Sequence, residues 1–379
     1  MSRESKKERL LILGSGFSKA VSDKMPVVRE LAQALQKQIK TDPELTALKE
    51  PQYQHLLNDP EMLLTYLAQD QPWKEPDETH KDRALFLRVA TWLARYIENC
   101  EDLAFKGNNI KDWVIDLASW LHHTKTPTIT FNYDTVLERV CRLRVKAKTW
   151  VPKNQYPPSW NPPSWSEEDL PLHASNLYQM PFGMIPQRAG PAPLPLPQST
   201  FHLIKLHGSI NWFYSGEEQF PGEQVYFRLV DSWSPHSDMT QDVSWGGPPP
   251  PFDLKTEIKK LLSDKVPLII PPVAEKSRFY ANQTIRSLWG KAREYLAQAE
   301  EIYCVGYSLP DTDLTMKLLL QTACAGKAKT VYIVNNDVKG KEDLVRRYKD
   351  AFPKGITIKD DYIRADAVEA MTEDLCKEG

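Results

Sequence analysis

Short apolar runs alternate with amphipathic stretches over much of the chain. RLLILG at 9–14 predicts a buried strand, because it is continuously apolar between a charged segment and a glycine. Later runs of this type are separated by segments with helical periodicity. This alternation predicts an α/β fold, a doubly wound Rossmann-like parallel sheet. The further predicted strands are PTITF (127–131), FHLIKLH (201–207), PLIIPP (267–272), EIYCVGYS (301–308), TVYIVNND (330–337) and the ITIKDDYI segment (356–363).

Two long segments depart from this alternation within one predicted domain over 1–379. Residues 27–125 have apolar positions at helical spacing almost throughout, which predicts an inserted helical subdomain. Residues 151–265 are rich in proline, and PPSWNPPSW, GPAPLPLP and GGPPPPFD can be neither helix nor central strand. We expect a proline-rich excursion that carries one core strand, 201–207, and covers one face of the core. A ligand for SH3-type partners is the alternative.

Composition narrows the class of protein. The 48 basic and 50 acidic residues give 379 residues a formal charge of −2, so general nucleic-acid affinity is not predicted. No segment approaches the roughly 20 apolar residues of a membrane span, and MSRESKKER does not resemble a signal peptide. We therefore expect a cytoplasmic protein. The five cysteines are scattered without a C-x-x-C pair, which predicts reduced thiols and no metal site.

Glycines and polar residues follow the predicted strands at one edge of the sheet. Ligands of doubly wound α/β proteins bind at the carboxyl ends of the parallel strands. Five strands place such residues there, which predicts one shared pocket. These residues are Gly14–Ser18, Asn132–Asp134, His207 with Gly208, Gly306 with Ser308, and Asn335–Asp337.

The glycine loop and the Asn132–Asp134 segment each have two interpretations. GSGFSK lets backbone amides approach a phosphate, but Lys19 occupies the third glycine position of the dinucleotide fingerprint, and an ordinary turn explains it equally well. Asp134 also fits a helix cap for TVLERV. Asn132, two residues earlier, would present its amide above the sheet edge, to a ribose hydroxyl or a water.

His207 is the candidate general base. An imidazole titrates near neutral pH and can take a proton from a hydroxyl, and Gly208 lets a ligand or another chain approach. A packed or surface histidine is the alternative interpretation. His202 lies on the same strand, but its odd spacing from His207 places it on the opposite face.

In this order, the motifs G-S-G-x-S, F-N-Y-D, K-L-H-G-S and V-G-Y-S resemble those of sirtuin-like proteins. More narrowly, the chain resembles the bacterial sirtuin-like NADases of antiphage defence, such as those of Thoeris systems or those paired with HerA-type ATPases. The resemblance implies NAD+ as substrate, with Asn132 and His207 as catalytic residues. It implies that NAD+ is bound by Gly14, Ser15, Gly16, Phe17, Ser18, Asp134, Gly306, Ser308 and Asn335.

The chain also departs from deacylating sirtuins. No cysteine stands between His207 and Cys304, where those enzymes carry a four-cysteine zinc module, and Ser22–Pro26 replaces their Pro-Asp-Phe-Arg segment. The resemblance therefore favours hydrolysis of NAD+ to nicotinamide and ADP-ribose, with ADP-ribosyl transfer or deacylation as the alternative activity. A non-catalytic nucleotide-sensing module is a further alternative. The resemblance to these NADases also implies a homo-oligomer, a HerA-type ATPase or other phage-sensing partner, and no direct contact with nucleic acid or membrane.

Overall fold

A six-stranded parallel sheet lies at the centre of the computed structural model, which describes residues 7–106, 110–143, 174–179, 184–187, 200–215, 225–228, 266–270, 279–311 and 313–378. The spatial order is β10-β9-β8-β1-β2-β4, and all neighbours are parallel. Numbered along the chain, this is the 3-2-1-4-5-6 order of the Rossmann fold, and its halves meet between β1 and β8. The predicted fold class is confirmed. The strands are β1 (Arg9–Leu13), β2 (Thr128–Thr130), β4 (Leu203–Lys205), β8 (Glu301–Val305), β9 (Thr330–Asn335) and β10 (Thr357–Ile363).

Helices pack on both faces of this sheet. All positions of β2, β4 and β8 are buried, as expected for parallel strands covered on both faces, even though the strands include threonines, Lys205 and Glu301. β10 is an edge strand, and its exposure alternates along TIKDDYI. No helix in the described part of the chain is long and apolar enough to cross a membrane. The helices after β2 are α7 (Val136–Leu143), α8 (Ala174–Tyr178), α9 (Gln283–Gln298), α10 (Leu314–Ala323), α11 (Lys341–Ala351) and α12 (Ala367–Glu378).

Helices are the only regular secondary structure in the described residues between β1 and β2. The 29-residue α5 packs against α4 and reaches a second sheet, whereas α6 packs against α7 and α12. Thus α6 belongs to the layer that covers the Rossmann sheet. The helices of this segment are α1 (Ser15–Val21), α2 (Val28–Thr41), α3 (Pro51–Gln54), α4 (Pro60–Ala68), α5 (Pro76–Ala104) and α6 (Asp112–Thr124).

A second, four-stranded sheet accompanies the Rossmann sheet and was not predicted. Three of its strands lie within 151–265, where we expected one strand in all; the three proline motifs lie outside the described residues. β3 and β6 escape sequence patterns because they have only four residues each, and neither MIPQ nor VYFR alternates between apolar and polar residues. The order is β3-β6-β5-β7, formed by β3 (Met184–Gln187), β6 (Val225–Arg228), β5 (Gly208–Tyr214) and β7 (Val266–Ile269).

Gly208 marks the passage from one sheet to the other. The predicted strand 201–207 ends at Lys205, and β5 begins three residues later. Gly208 has a φ of +76°, and a Cβ there would lie 2.0 Å from the carbonyl oxygen of Leu268 on β7. Only glycine fits this left-handed, crowded position. The turn leaves His207 at the junction of the two sheets.

Candidate functional site

A cavity of about 440 Å³ opens at the carboxyl edge of the Rossmann sheet, where β1 and β8 lie side by side. Residues that follow β1, β2, β4 and β8 line it, at the edge where such folds bind ligands. The structure therefore brings most of the predicted site residues together. Those that line the cavity are Gly14, Ser15, Asn132, Asp134, His207, Gly306 and Ser308.

Four residues of the predicted NAD+ site do not line this cavity, and neither do Gly208, Asn336 and Asp337 of the predicted pocket. Phe17 and Ser18 are buried, and the amide of Gly16 donates to the carbonyl oxygen of Gly306 at 3.0 Å. Asn335 ends β9 outside the cavity lining, and its side-chain oxygen accepts from the amide of Asp337 at 3.0 Å. Gly16, Phe17, Ser18 and Asn335 therefore support the turns around the cavity rather than forming its surface.

The glycines after β1 and β8 pack backbone against backbone. A Cβ on Gly14 would lie 2.5 Å from the carbonyl oxygen of Gly306. Gly306 has a φ of +61°, and a Cβ there would lie 2.2 Å from the amide nitrogen of Phe17. The glycines therefore allow the ends of β1 and β8, which form the floor of the cavity, to pack in direct contact. Close backbone packing explains why both motifs contain glycine.

We expect Gly306→Ala to lower the free energy of unfolding by about 3 kcal/mol, because the left-handed φ and the backbone clash both oppose a Cβ. Chemical denaturation measures it. Gly326→Ala shares only the positive φ, with open space around it, and should cost about 1 kcal/mol. Gly290→Ala, on the exposed face of α9, should stabilise by up to about 1 kcal/mol. Equal losses at 306 and 326 would contradict the close packing.

Asn132 connects the end of β2 to the turn after β1. Its side-chain nitrogen donates to the carbonyl oxygen of Gly14 at 2.9 Å and to the hydroxyl of Ser18 at 3.0 Å. Its own amide donates to the hydroxyl of Thr130 at 3.1 Å. Both side-chain donor hydrogens are thus committed to the fold, which leaves the side-chain oxygen as the group suited to accept from a water or a ribose hydroxyl.

Replacing Asn132 with aspartate should lower the unfolding free energy by about 1–3 kcal/mol, because a carboxylate oxygen would face the carbonyl of Gly14. We expect kcat for the reaction proposed below to fall about 100-fold. Denaturation and steady-state kinetics measure the two effects. Asn282→Asp is the matched control, because buried Asn282 accepts from Thr284 and Ile285 at the start of α9, a role that aspartate retains. Similar losses at both positions would contradict the donor role of Asn132.

Asp134 both caps a helix and lines the cavity. Its Oδ1 accepts from the amide of Val136 at 3.2 Å, as the helix-cap interpretation expects, and the residue also lines the cavity; its part in binding NAD+ stays a prediction. Burial raises the pKa of Asp134, and the nearby Glu138 carboxylate raises it further. The charge of Lys205 and a hydrogen bond from Ser18 oppose that increase. Lys205 also donates to the main-chain oxygen of Asp134, which links β4 to this loop.

His207 is buried at the cavity wall, with 2% of its surface exposed. Its ring meets Phe131 edge-on, with centroids 4.9 Å apart, and its main-chain oxygen accepts from the amide of Ile270 at 2.9 Å. His202 instead faces α9, where its Nδ1 lies 3.3 Å from the hydroxyl of Tyr295. Burial lowers the pKa of His202 to about 4. The two histidines thus have separate surroundings as expected, but both lie just outside β4, so strand alternation is not the reason.

Sequence reasoning missed two aromatic walls and one helical wall of the cavity. Phe131 and Tyr307 stack with centroids 4.6 Å apart, and the Tyr307 hydroxyl donates to Asp313 at 2.9 Å. Both aromatics adjoin predicted site residues, so their position in the motifs was an available signal. The helical segment carries no comparable pattern. Its lining residues are Met25, Pro26, Val28, Leu31, Asp59 and Ile97.

The described residues contain no cluster of three or more His, Cys, Asp or Glu side chains placed to hold a metal ion. The cavity is lined by carboxylates, aromatic rings, aliphatic side chains, Asn132 and His207. Its described lining includes no lysine or arginine side chain. Ligand recognition at these residues would therefore depend on hydrogen bonds and ring contacts.

Solved Sir2 structures are similar to this chain at low sequence identity. A Sir2 homologue with a serine-to-alanine substitution, in complex with ADP-ribose, is 13% identical over 98% of this chain and 92% of its own, with a TM-score of 0.42. Sir2 in complex with EX-527, 2′-O-acetyl-ADP-ribose and a deacetylated p53 peptide is 12% identical over 98% and 93%, with a TM-score of 0.38. No protein-family model and no curated protein matches the sequence. At these values the likeness assigns no activity.

Proposed function

We propose that this protein hydrolyses the N-glycosidic bond of NAD+ and releases nicotinamide and ADP-ribose. The observation that carries the proposal is the convergence of Asn132 and His207 on one cavity from the neighbouring strands β2 and β4. The cavity lies at the boundary between the Rossmann halves, where dinucleotides bind in such folds. The motif resemblance described above names the same two residues as catalytic.

Hydrolysis requires that NAD+ is held in a fixed orientation, that its ribose C1′ is shielded from bulk water, and that the oxygen of one water or ribose hydroxyl is activated. When the bond between the ribose C1′ and nicotinamide breaks, nicotinamide leaves as a neutral ring and C1′ gains cationic character. Asn132 would place a water with its side-chain oxygen, and His207 would take the proton as the water oxygen bonds to C1′, directly or through a ribose hydroxyl. Phe131 and Tyr307 would restrict stray water at the reacting carbon.

The same cavity would serve ADP-ribosyl transfer or deacylation with a different acceptor. The interval between His207 and Cys304 contains no cysteine, which argues against a deacylase of the zinc-module type. Transfer to a protein acceptor is the closer alternative. A nucleotide-sensing assembly module would bind NAD+ without cleaving it.

The proposed biological role is NAD+ depletion in antiphage defence in the cytoplasm, supported by the motif resemblance. Uncontrolled cleavage of NAD+ would harm the host cell, so the activity would require gating. We therefore propose a homo-oligomer and a HerA-type ATPase or other phage-sensing partner. Light scattering that finds only monomers would contradict the oligomer.

Incubation of the purified protein with NAD+, followed by chromatography of the products, tests the activity. Free nicotinamide with ADP-ribose in equal amounts supports hydrolysis. Free nicotinamide together with protein that carries covalently attached ADP-ribose supports ADP-ribosyl transfer instead. Binding of NAD+ without any product, both alone and after addition of candidate partners from the host, would favour the sensing module and contradict hydrolysis.

A further inference from the structure

A buried carboxylate of the inserted helices reaches the loop that carries Asn132 and Asp134. Glu101, in the last turn of α5, is fully buried. One of its oxygens accepts from the amide of Thr135, and the other accepts from the Thr135 hydroxyl at 2.8 Å. Arg139 pairs with the same carboxylate at 2.9 Å. Glu101 therefore caps the start of α7 from another part of the chain.

The contacts with Thr135 and Arg139 offset the cost of burying the Glu101 carboxylate. Burial raises the pKa of Glu101 to about 7, and the charge of Asp134 adds to the increase. Arg139 and the two bonds from Thr135 oppose it. One oxygen can accept from the Thr135 amide in either protonation state, so the cap persists across neutral pH.

The capped residue directly follows the candidate site. Thr135 is next to Asp134 and three residues from Asn132. The main-chain oxygen of Tyr133 accepts from Ile210 on β5 at 2.9 Å, and Lys205 on β4 donates to the main-chain oxygen of Asp134. Glu101 holds the same loop from the side of the inserted helices, which also contribute a cavity wall.

We propose that Glu101 is a positioning residue, which fixes the Asn132–Asp134 loop and couples the inserted helices to the candidate site. Its kinetic consequence rests on the proposed NAD+ hydrolysis, whereas its structural consequence does not. Removal of the carboxylate should let the loop shift, and displacement of site groups by about 1 Å can cost on the order of 100-fold in rate. Glu101 itself is not among the residues that line the cavity.

The test compares Glu101→Ala with Asp102→Ala in the full-length protein. Asp102 is the matched control, because it pairs with the same Arg139 at 2.8 Å but is half exposed. We expect hydrogen exchange of residues 132–140 to speed up at least about 10-fold in Glu101→Ala only, with kcat falling about 10–100-fold and KM changing less. Glu101→Gln should recover part of the rate, because its amide oxygen can accept from the Thr135 amide.

Two readouts separate this inference from the proposed function. If the wild type does not turn over NAD+ but Glu101→Ala still exposes residues 132–140 to exchange, hydrolysis fails and the loop-fixing role holds. Unchanged exchange in Glu101→Ala, or equal effects in Asp102→Ala, overturns the inference. So does an unchanged kcat in Glu101→Ala when the wild type is active. If Glu101→Ala does not fold, Thr135→Val removes only the hydroxyl contact and should change exchange and kcat in the same direction, less strongly; no change there overturns the inference.

Discussion

Alanine in place of His207 should lower kcat for nicotinamide release by about 100- to 10,000-fold, the usual contribution of a positioned general base. The expectation follows from position, because His207 lines the cavity at the end of β4 beside Asn132 at the end of β2. Steady-state release of nicotinamide, measured by chromatography, gives kcat, and thermal unfolding reports whether the variant folds. A folded His207→Ala variant with the wild-type rate would remove the residue from the mechanism.

His202→Ala is the control that separates catalysis from packing. His202 is also buried and lies five residues earlier, but it contacts Tyr295 of α9 rather than the cavity. We expect it to lose stability while keeping kcat within a few-fold of the wild type. Equal rate losses in the two variants would indicate that both histidines act only by supporting the fold.

The Rossmann sheet was predictable because parallel strands covered on both faces leave a simple sequence pattern. LLIL at 10–13 and EIYCV at 301–305 are buried along their whole length, and each is followed by a glycine that the neighbouring strand end requires. The second sheet leaves no such pattern. Its β5 pairs with β7 across more than fifty intervening residues, and that pairing is set by tertiary contacts rather than by local periodicity.

The candidate site was likewise predictable from the sequence only in part. The residues at strand ends were predictable, because the carboxyl ends of parallel strands lie at the same edge of the sheet regardless of the conformation of the loops. The wall from the inserted helices was not, since the position of Asp59 or Ile97 depends on how α4 and α5 fold back over the sheet. Two buried charges, Glu101 and Lys205, were also missed, because lysine and glutamate in a sequence usually indicate solvent-exposed positions.

Lys205→Met should lower the unfolding free energy by about 3–5 kcal/mol, because it breaks a buried ion pair from one side. Lys205 is fully buried on β4, and its ammonium group lies 2.9 Å from the Glu138 carboxylate. The Tyr178 hydroxyl donates to that carboxylate at 2.8 Å, but it supplies no charge. Lys205→Met leaves the buried Glu138 carboxylate, which lies near Asp134, without this positive partner. Chemical denaturation at neutral pH measures the loss.

Two further variants separate charge from lost packing. Lys291→Met removes an exposed ion pair with Glu294 and should cost less than about 1 kcal/mol. Lys205→Met combined with Glu138→Gln should be more stable than Lys205→Met alone, because the unpaired buried charge is gone and the glutamine oxygen can still accept from Tyr178. If the double variant instead loses as much unfolding free energy as the two single variants lose together, the ion pair does not hold β4 to α7. The link from the histidine strand to the Asp134 loop would then rest on the Lys205 bond to the main chain alone.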